Sequence, residues 1–202
     1  GSTLASLTSS AGVTLNGSNS VAGAVILSGG GFTAAGANDF NGAFQVNAGT
    51  ANLSGNNDFT SAAISGGQLI PSGNNAFTAG ISVSGGTLIL NADGALGAGT
   101  FSISGGTLNN TSAGARTLAG LGAGAVTGNF TFTGSNALTL GTSGLQLAND
   151  PTVTVSASTL GFGGSVTGAS DLTKAGPGIL SVASLDNQGS IFVSGGTLSA
   201  SS

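Results

Sequence analysis

Asp39 and Asp58 are the residues in this sequence best placed for chemistry. They occur in two like segments, Asn38-Asp39-Phe40 and Asn57-Asp58-Phe59. In a chain that coils once in about 19 residues they would stand about 5 Å apart on neighbouring strands. Two carboxyl groups roughly 5 to 10 Å apart are what glycoside hydrolysis needs, and such a pair can also hold a weak Ca²⁺. A plainer use competes with this one. Asn38, Asn57 and Asn75 would bond the turn backbone while Asp39 and Asp58 face solvent. The third copy, Asn75-Ala76-Phe77, has alanine where an acid would continue the row, and this favours the plainer use. Asp93, Asp150 and Asp186 each sit beside Asn or Gly, as turn residues do. Lys174 and Arg116 are the only cations. Asp171 lies shortly before Lys174, which suits a surface ion pair contributing at most about 1 kcal/mol.

Composition removes most other chemistry. The chain of 202 residues has no Cys, His, Met, Trp or Tyr and a formal net charge of -4. Without Cys or His there is no thiolate nucleophile, no disulfide framework and no ordinary zinc site. Two basic residues give no electrostatic source for binding nucleic acid or an anionic membrane. No apolar run approaches the roughly 18 residues of a spanning helix. The ten Phe come without the Trp and Tyr of a barrel's aromatic girdles. The expectation is therefore a protein that is not an enzyme, with no catalytic, cofactor-binding or metal site.

The apolar residues are periodic, which separates this sequence from a flexible Gly/Ser linker. Leu27-Ser28-Gly29-Gly30, Val46-Asn47-Ala48-Gly49, Ile64-Ser65-Gly66-Gly67, Val83-Ser84-Gly85-Gly86 and Ile103-Ser104-Gly105-Gly106 share one form. Their aliphatic anchors, Leu27, Val46, Ile64, Val83 and Ile103, are almost evenly spaced. Phe40, Phe59 and Phe77 keep the same beat, and the anchor returns as Val193-Ser194-Gly195-Gly196-Thr197-Leu198. Between about 110 and 180 the phase is harder to follow. Thr131-Phe132-Thr133, Leu138-Thr139-Leu140, Leu145-Gln146-Leu147 and Thr152-Val153-Thr154-Val155 still alternate as strands do.

A unit of this length cannot bury its own apolar face, so copies must stack. Val, Ile, Thr and Phe alternating with small polar residues favour strands, whereas Gly at this density opposes helices. The reading is all-β: a single parallel β-solenoid over 1–202, with about 18–20 residues per coil and roughly ten or eleven coils. Such a rod would be about 50 Å long. Phe40, Phe59 and Phe77 are expected to stack inside it.

Asp171-Leu172-Thr173-Lys174-Ala175-Gly176-Pro177-Gly178-Ile179-Leu180, followed after a spacer by Val193 to Leu198, resembles the passenger-associated transport repeat of bacterial autotransporters. Gly86-Thr87-Leu88, Gly94-Ala95-Leu96-Gly97 and Gly105-Gly106-Thr107-Leu108 are similar to its companion form. The resemblance covers most of residues 20–110 and 170–200. It implies a right-handed parallel β-helix secreted to the bacterial surface, often adhesive or self-associating. The chain shows no translocator barrel and no signal peptide, so it is expected to be a piece of a longer protein or a unit delivered another way.

Two functions follow as expectations. One is a structural or adhesive stalk of an extracellular surface protein, with other surface proteins or glycans as partners. The other is a filament subunit that associates with itself through solenoid ends or lateral faces. Ice binding and action on polysaccharides are more distant. Ice binding would need Thr-x-Thr in one register on many coils, and the copies at 131–133 and 152–154 do not recur at the Gly-Gly anchors. Neither nucleic acid nor membrane insertion of this segment is expected.

Overall fold

The computed structural model describes residues 3–201, and within them every regular element is a β-strand. All the pairings are parallel, and each joins a residue to one about a coil further along the chain. The chain winds about ten turns of a β-solenoid. Each turn lays down three faces. The first carries Thr3–Leu4, Ser20–Val21, and later Leu138–Thr142 and Thr197–Ala200. The second carries Leu7–Ser9, Thr100–Ile103 and Leu145–Leu147. The third carries Val13–Leu15, Thr87–Ile89, Phe130–Phe132 and Ile191–Val193. Longer strands such as Val25–Ala34 and Asp39–Leu53 run from one face to the next around a corner.

Alternation decides which side chains enter the core. Val25, Leu27, Phe44, Val46, Ile64, Val83 and Ile103 point inward on the second face and are almost fully buried. They form one contiguous cluster with Phe32, Leu53, Leu88, Leu108, Phe132, Leu140 and Leu180. The anchors Leu27, Val46, Ile64, Val83 and Ile103 are mutual ladder partners, as their spacing predicts. The Gly-Gly pairs that follow them make the corner between the second and third faces. At that corner Gly67 has φ +63°, and a Cβ there would come within 2.5 Å of the Gly49 carbonyl oxygen. Both the turn and the stacking of successive corners therefore require glycine.

The coil is longer in the middle of the rod than the sequence predicts. Ile103 pairs with Val126 and Leu108 with Phe132, each a longer step along the chain than any between the first five anchors. The extra residues sit in the corners, so strands found by alternation are all present while the period is lost. The late Gly-Gly motif also changes place. Val193 pairs with Lys174 on the third face and Leu198 with Leu180 on the first. Gly195-Gly196 therefore turns a different corner from the first five pairs. Any corner that needs two small residues and a positive φ accepts the same motif.

One face of one coil is not a strand. Between Ala76–Val83 and Arg116–Leu121 the first face is made by turns around Asp93–Ala98, with Ala95 and Leu96 filling the core. Asn75 and Phe77 donate their amides to Gly94 and Leu96 of this segment. Across its other edge, among the described residues, the Asp93 carboxylate accepts the Thr117 amide at 2.9 Å and no main-chain pair forms until Gly122 reaches Gly99.

Candidate functional site

The polar side chains that could carry chemistry are bonded mainly to the chain's own coils. Asn19, Asn38, Asn57 and Asn75 stack at the corner between the third and first faces. Each Nδ2 donates to the next Oδ1, at 2.8, 2.8 and 2.9 Å. Asn75 ends the file by donating to the carbonyls of Leu53 and Gly73. Asn38, Asn57 and Asn75 are buried, so every such bond replaces a lost contact with water. Asn19 and a further buried residue, Asn110, escaped the sequence reading. Asn110 lacks the following Asp-Phe and is held instead by Ser112, Gly114 and Ala137.

Inside this corner run the aromatic rings. Phe40 stacks on Phe59 at 4.4 Å with the planes 2° apart, and Phe59 on Phe77 at 4.8 Å and 9°. All three are buried, so they form a core stack and not an exposed row for sugars.

Asp39 and Asp58 are in register, exposed, and beside a depression of about 130 Å³ that Asn41, Thr60 and Thr78 help to line. Asn41 Nδ2 donates to Asp39 Oδ2 at 3.2 Å. No third acidic side chain joins them among the described residues. The arrangement matches the solvent-facing pair read from the sequence and offers a cation at most two carboxylates.

Three of the other carboxylates, those of Asp93, Asp150 and Asp171, act as stitches between coils. Asp150 Oδ1 accepts the Asp171 amide at 2.9 Å, and Asp171 Oδ1 accepts the Ser190 amide at 2.7 Å. Asp93 and Asp150 lie in turns, as expected, but Asp186 does not. It is an outward residue of the strand Ile179–Asn187, paired with Thr167. Its Asn neighbour suggests a turn, but the alternating run from Ile179 carries the strand through it.

Lys174 is the main correction. It is fully buried, not on the surface, and makes no surface ion pair. Its ladder neighbours are Val153 and Val193. Nζ donates to the carbonyls of Ala175, Gly176 and Gly195 at 2.7, 2.8 and 3.0 Å, using all three of its donors. Burial pushes its pKa below the ordinary 10.5. The signal was present in the sequence: Leu172 points inward, and two residues later the same face recurs. Arg116 Nε is tied to Ser112 Oγ at 3.0 Å.

On the outer surface of the third face, Thr87, Thr107, Thr131 and Thr154 are successive ladder partners. One Thr of each Thr-x-Thr copy, Thr131 and Thr154, is thus in file with the single Thr of the Gly-Gly-Thr segments, while the Thr-x-Thr pair itself does not recur there. Corner insertions had hidden the common register. The second face presents a shallow trough of about 220 Å³ lined by Ser61, Ala63, Gly80, Ser82, Thr100 and Ser102.

The family model named passenger-associated-transport-repeat matches residues 35–50, 66–90 and 172–200. Three stretches of this chain are similar to that repeat. The first holds the Asn38 and Phe40 rungs, the second the corner at Gly66-Gly67 and the strand Thr87–Ile89, and the third the Lys174 cage with the corner it braces. The matched stretches therefore lie on both sides of the turn-built segment at 93–98. No curated protein and no solved structure matches the chain.

Proposed function

We propose that the chain is a non-catalytic, autotransporter-passenger-like stalk, displayed outside a bacterial cell and adhesive through its lateral faces. The observation that carries this reading is where the polar groups go. The buried asparagines, Asp93, Asp150, Asp171 and Lys174 are bonded to neighbouring coils and Arg116 to Ser112 of its own turn, which leaves outer faces that are nearly neutral, small in side chain and shallow. Such a surface supports weak, repeated contacts with glycans or other surface proteins better than it supports a reaction. The passenger-associated repeats support delivery to the surface or the extracellular space.

Beads coated with the purified chain provide the test. The expected result is saturable attachment to epithelial or bacterial cells, or of beads to one another, that is lost when the chain is unfolded. Beads that attach to nothing, together with turnover of a polysaccharide panel by the free chain, would contradict it.

A second reading, filament assembly through lateral faces, draws on Phe192, an outward residue of the strand Ile191–Val193 that is 53% exposed. Electron microscopy over a range of concentrations separates the two: uniform fibres favour assembly, and separate rods about 50 Å long favour the stalk.

A further inference from the structure

Asn149 and Asp150 have φ of 62° and 50°. Among the described residues they are the only adjacent non-glycine pair with positive φ. Asp150 is also followed by Pro151, and a residue before proline is normally driven toward extended backbone. The conformation persists because everything around it is fixed. Asn149 Nδ2 donates to the Thr127 carbonyl at 3.1 Å. Asp150 Oδ1 accepts the Asp171 amide, and the Pro151 carbonyl accepts the Thr173 amide at 3.0 Å. Pro151 is buried while Asp150 is exposed to water. Residues held in this way by surrounding structure cluster at functional positions.

We propose that the Asp150–Pro151 bond is a built-in self-cleavage site. A carboxylate oxygen of Asp150 adds to the Asp150 main-chain carbonyl carbon, and the C–N bond to Pro151 breaks as a five-membered cyclic anhydride forms. The departing proline nitrogen takes a proton from solvent. One water then opens the anhydride and leaves the two carboxyl groups of Asp150, with no redox change. Nucleophile and target belong to the same residue, so the step is intramolecular. The anchored coils hold the strained ground state that cleavage relieves.

The nick would not part the rod. The strand Leu145–Leu147 before it stays paired with residues 124–126 and 166–168, and Thr152–Val155 after it with residues 130–132 and 173–175. The outcome is a two-piece solenoid of 1–150 and 151–202 that remains one particle. This inference concerns processing and stands apart from the adhesive reading.

The test is incubation of the intact chain in mild acid, with and without guanidinium. Whole-protein mass spectrometry follows the two fragments. Cleavage of the folded chain about tenfold faster than of the denatured chain is expected, the rate equivalent of such stored strain. Asp150→Asn should keep the native circular dichroism and stay intact. Size-exclusion chromatography should show the cleaved wild type as one species. Equal or faster cleavage in guanidinium, no cleavage in the folded chain, or an unchanged rate in Asp150→Asn would each overturn the proposal.

Discussion

The coils around residues 20–90 and those beyond residue 115 solve the same packing problem differently. In the first set the coil length barely varies, an asparagine file is buried at one corner, and three phenylalanines stack beside it. In the second set the step lengthens, as from Phe132 to its partner Val155, and coils are joined by exposed aspartates and one caged lysine. Among the described residues, its aromatic rings have no stacked partner. Repeating a side chain at one place lets like residues bond to like, and this holds the coil length constant. Where the stitches vary from coil to coil, corners can lengthen without breaking a file. Regularity and tolerance to insertion are thus alternatives within one fold.

The largest effect should come from placing a charge in the regular half. Ile64→Asp buries an unpaired carboxylate between Val46 and Val83 and should cost about 4 kcal/mol or more, read as loss of the cooperative thermal transition. Unchanged melting would mean that the anchors do not face inward. Next, Phe59→Ala should cost about 3–5 kcal/mol. Phe132→Ala should cost about 1 kcal/mol less, because only Phe59 loses stacked neighbours. Equal costs in denaturant titrations would remove the aromatic distinction between the halves. Asn57→Ala leaves the buried Nδ2 of Asn38 without one of its acceptors and should cost about 1–3 kcal/mol. Asp171→Ala, at a partly exposed position, should cost about 0.5–1 kcal/mol in the same titrations.

Smaller effects concern the two unusual stitches. Lys174 is the only side chain of an ordinary titrating type above neutral pH, since the chain holds no His, Cys or Tyr and one Arg. Its folded pKa is lowered, so the unfolded chain binds more protons in the alkaline range. Stability should therefore rise as pH increases toward the ordinary 10.5, because the neutral amine keeps two donors and sheds the cost of a buried charge. Melting curves across that range should show the rise in the wild type and a flat response in Lys174→Met. The smallest global effect belongs to Asp93→Ala, under about 1 kcal/mol.

The stacking, the inward anchors, the phenylalanine column and the outward Asp39–Asp58 pair were legible because each repeats at the coil length. What was not legible shares a cause. Corner insertions near 110–170 leave strand alternation intact but shift the period, which hid the file from Thr87 to Thr154 and the changed corner at Gly195-Gly196. Lys174 was misplaced because residue type outweighed its position two after Leu172. Carbonyl partners from another coil, such as Gly195, leave no local mark in sequence. Asp186 was misplaced in the same way, its neighbour Asn187 outweighing the strand that contains both.

Peptide-resolved hydrogen exchange of the intact chain tests the comparison most directly, since it reads local opening along the rod. The slowest exchange is predicted within 39–83, where the asparagine file and the phenylalanine stack coincide. The fastest within the rod is predicted over 93–98 and at the Thr117 amide, with residues 138–182 between these limits. Asp93→Ala should accelerate Thr117 further and leave 39–83 unchanged. Uniform protection along the chain, or slower exchange beyond residue 138 than within 39–83, would contradict the claim that the repeated asparagine and phenylalanine files make the regular half the firmer one.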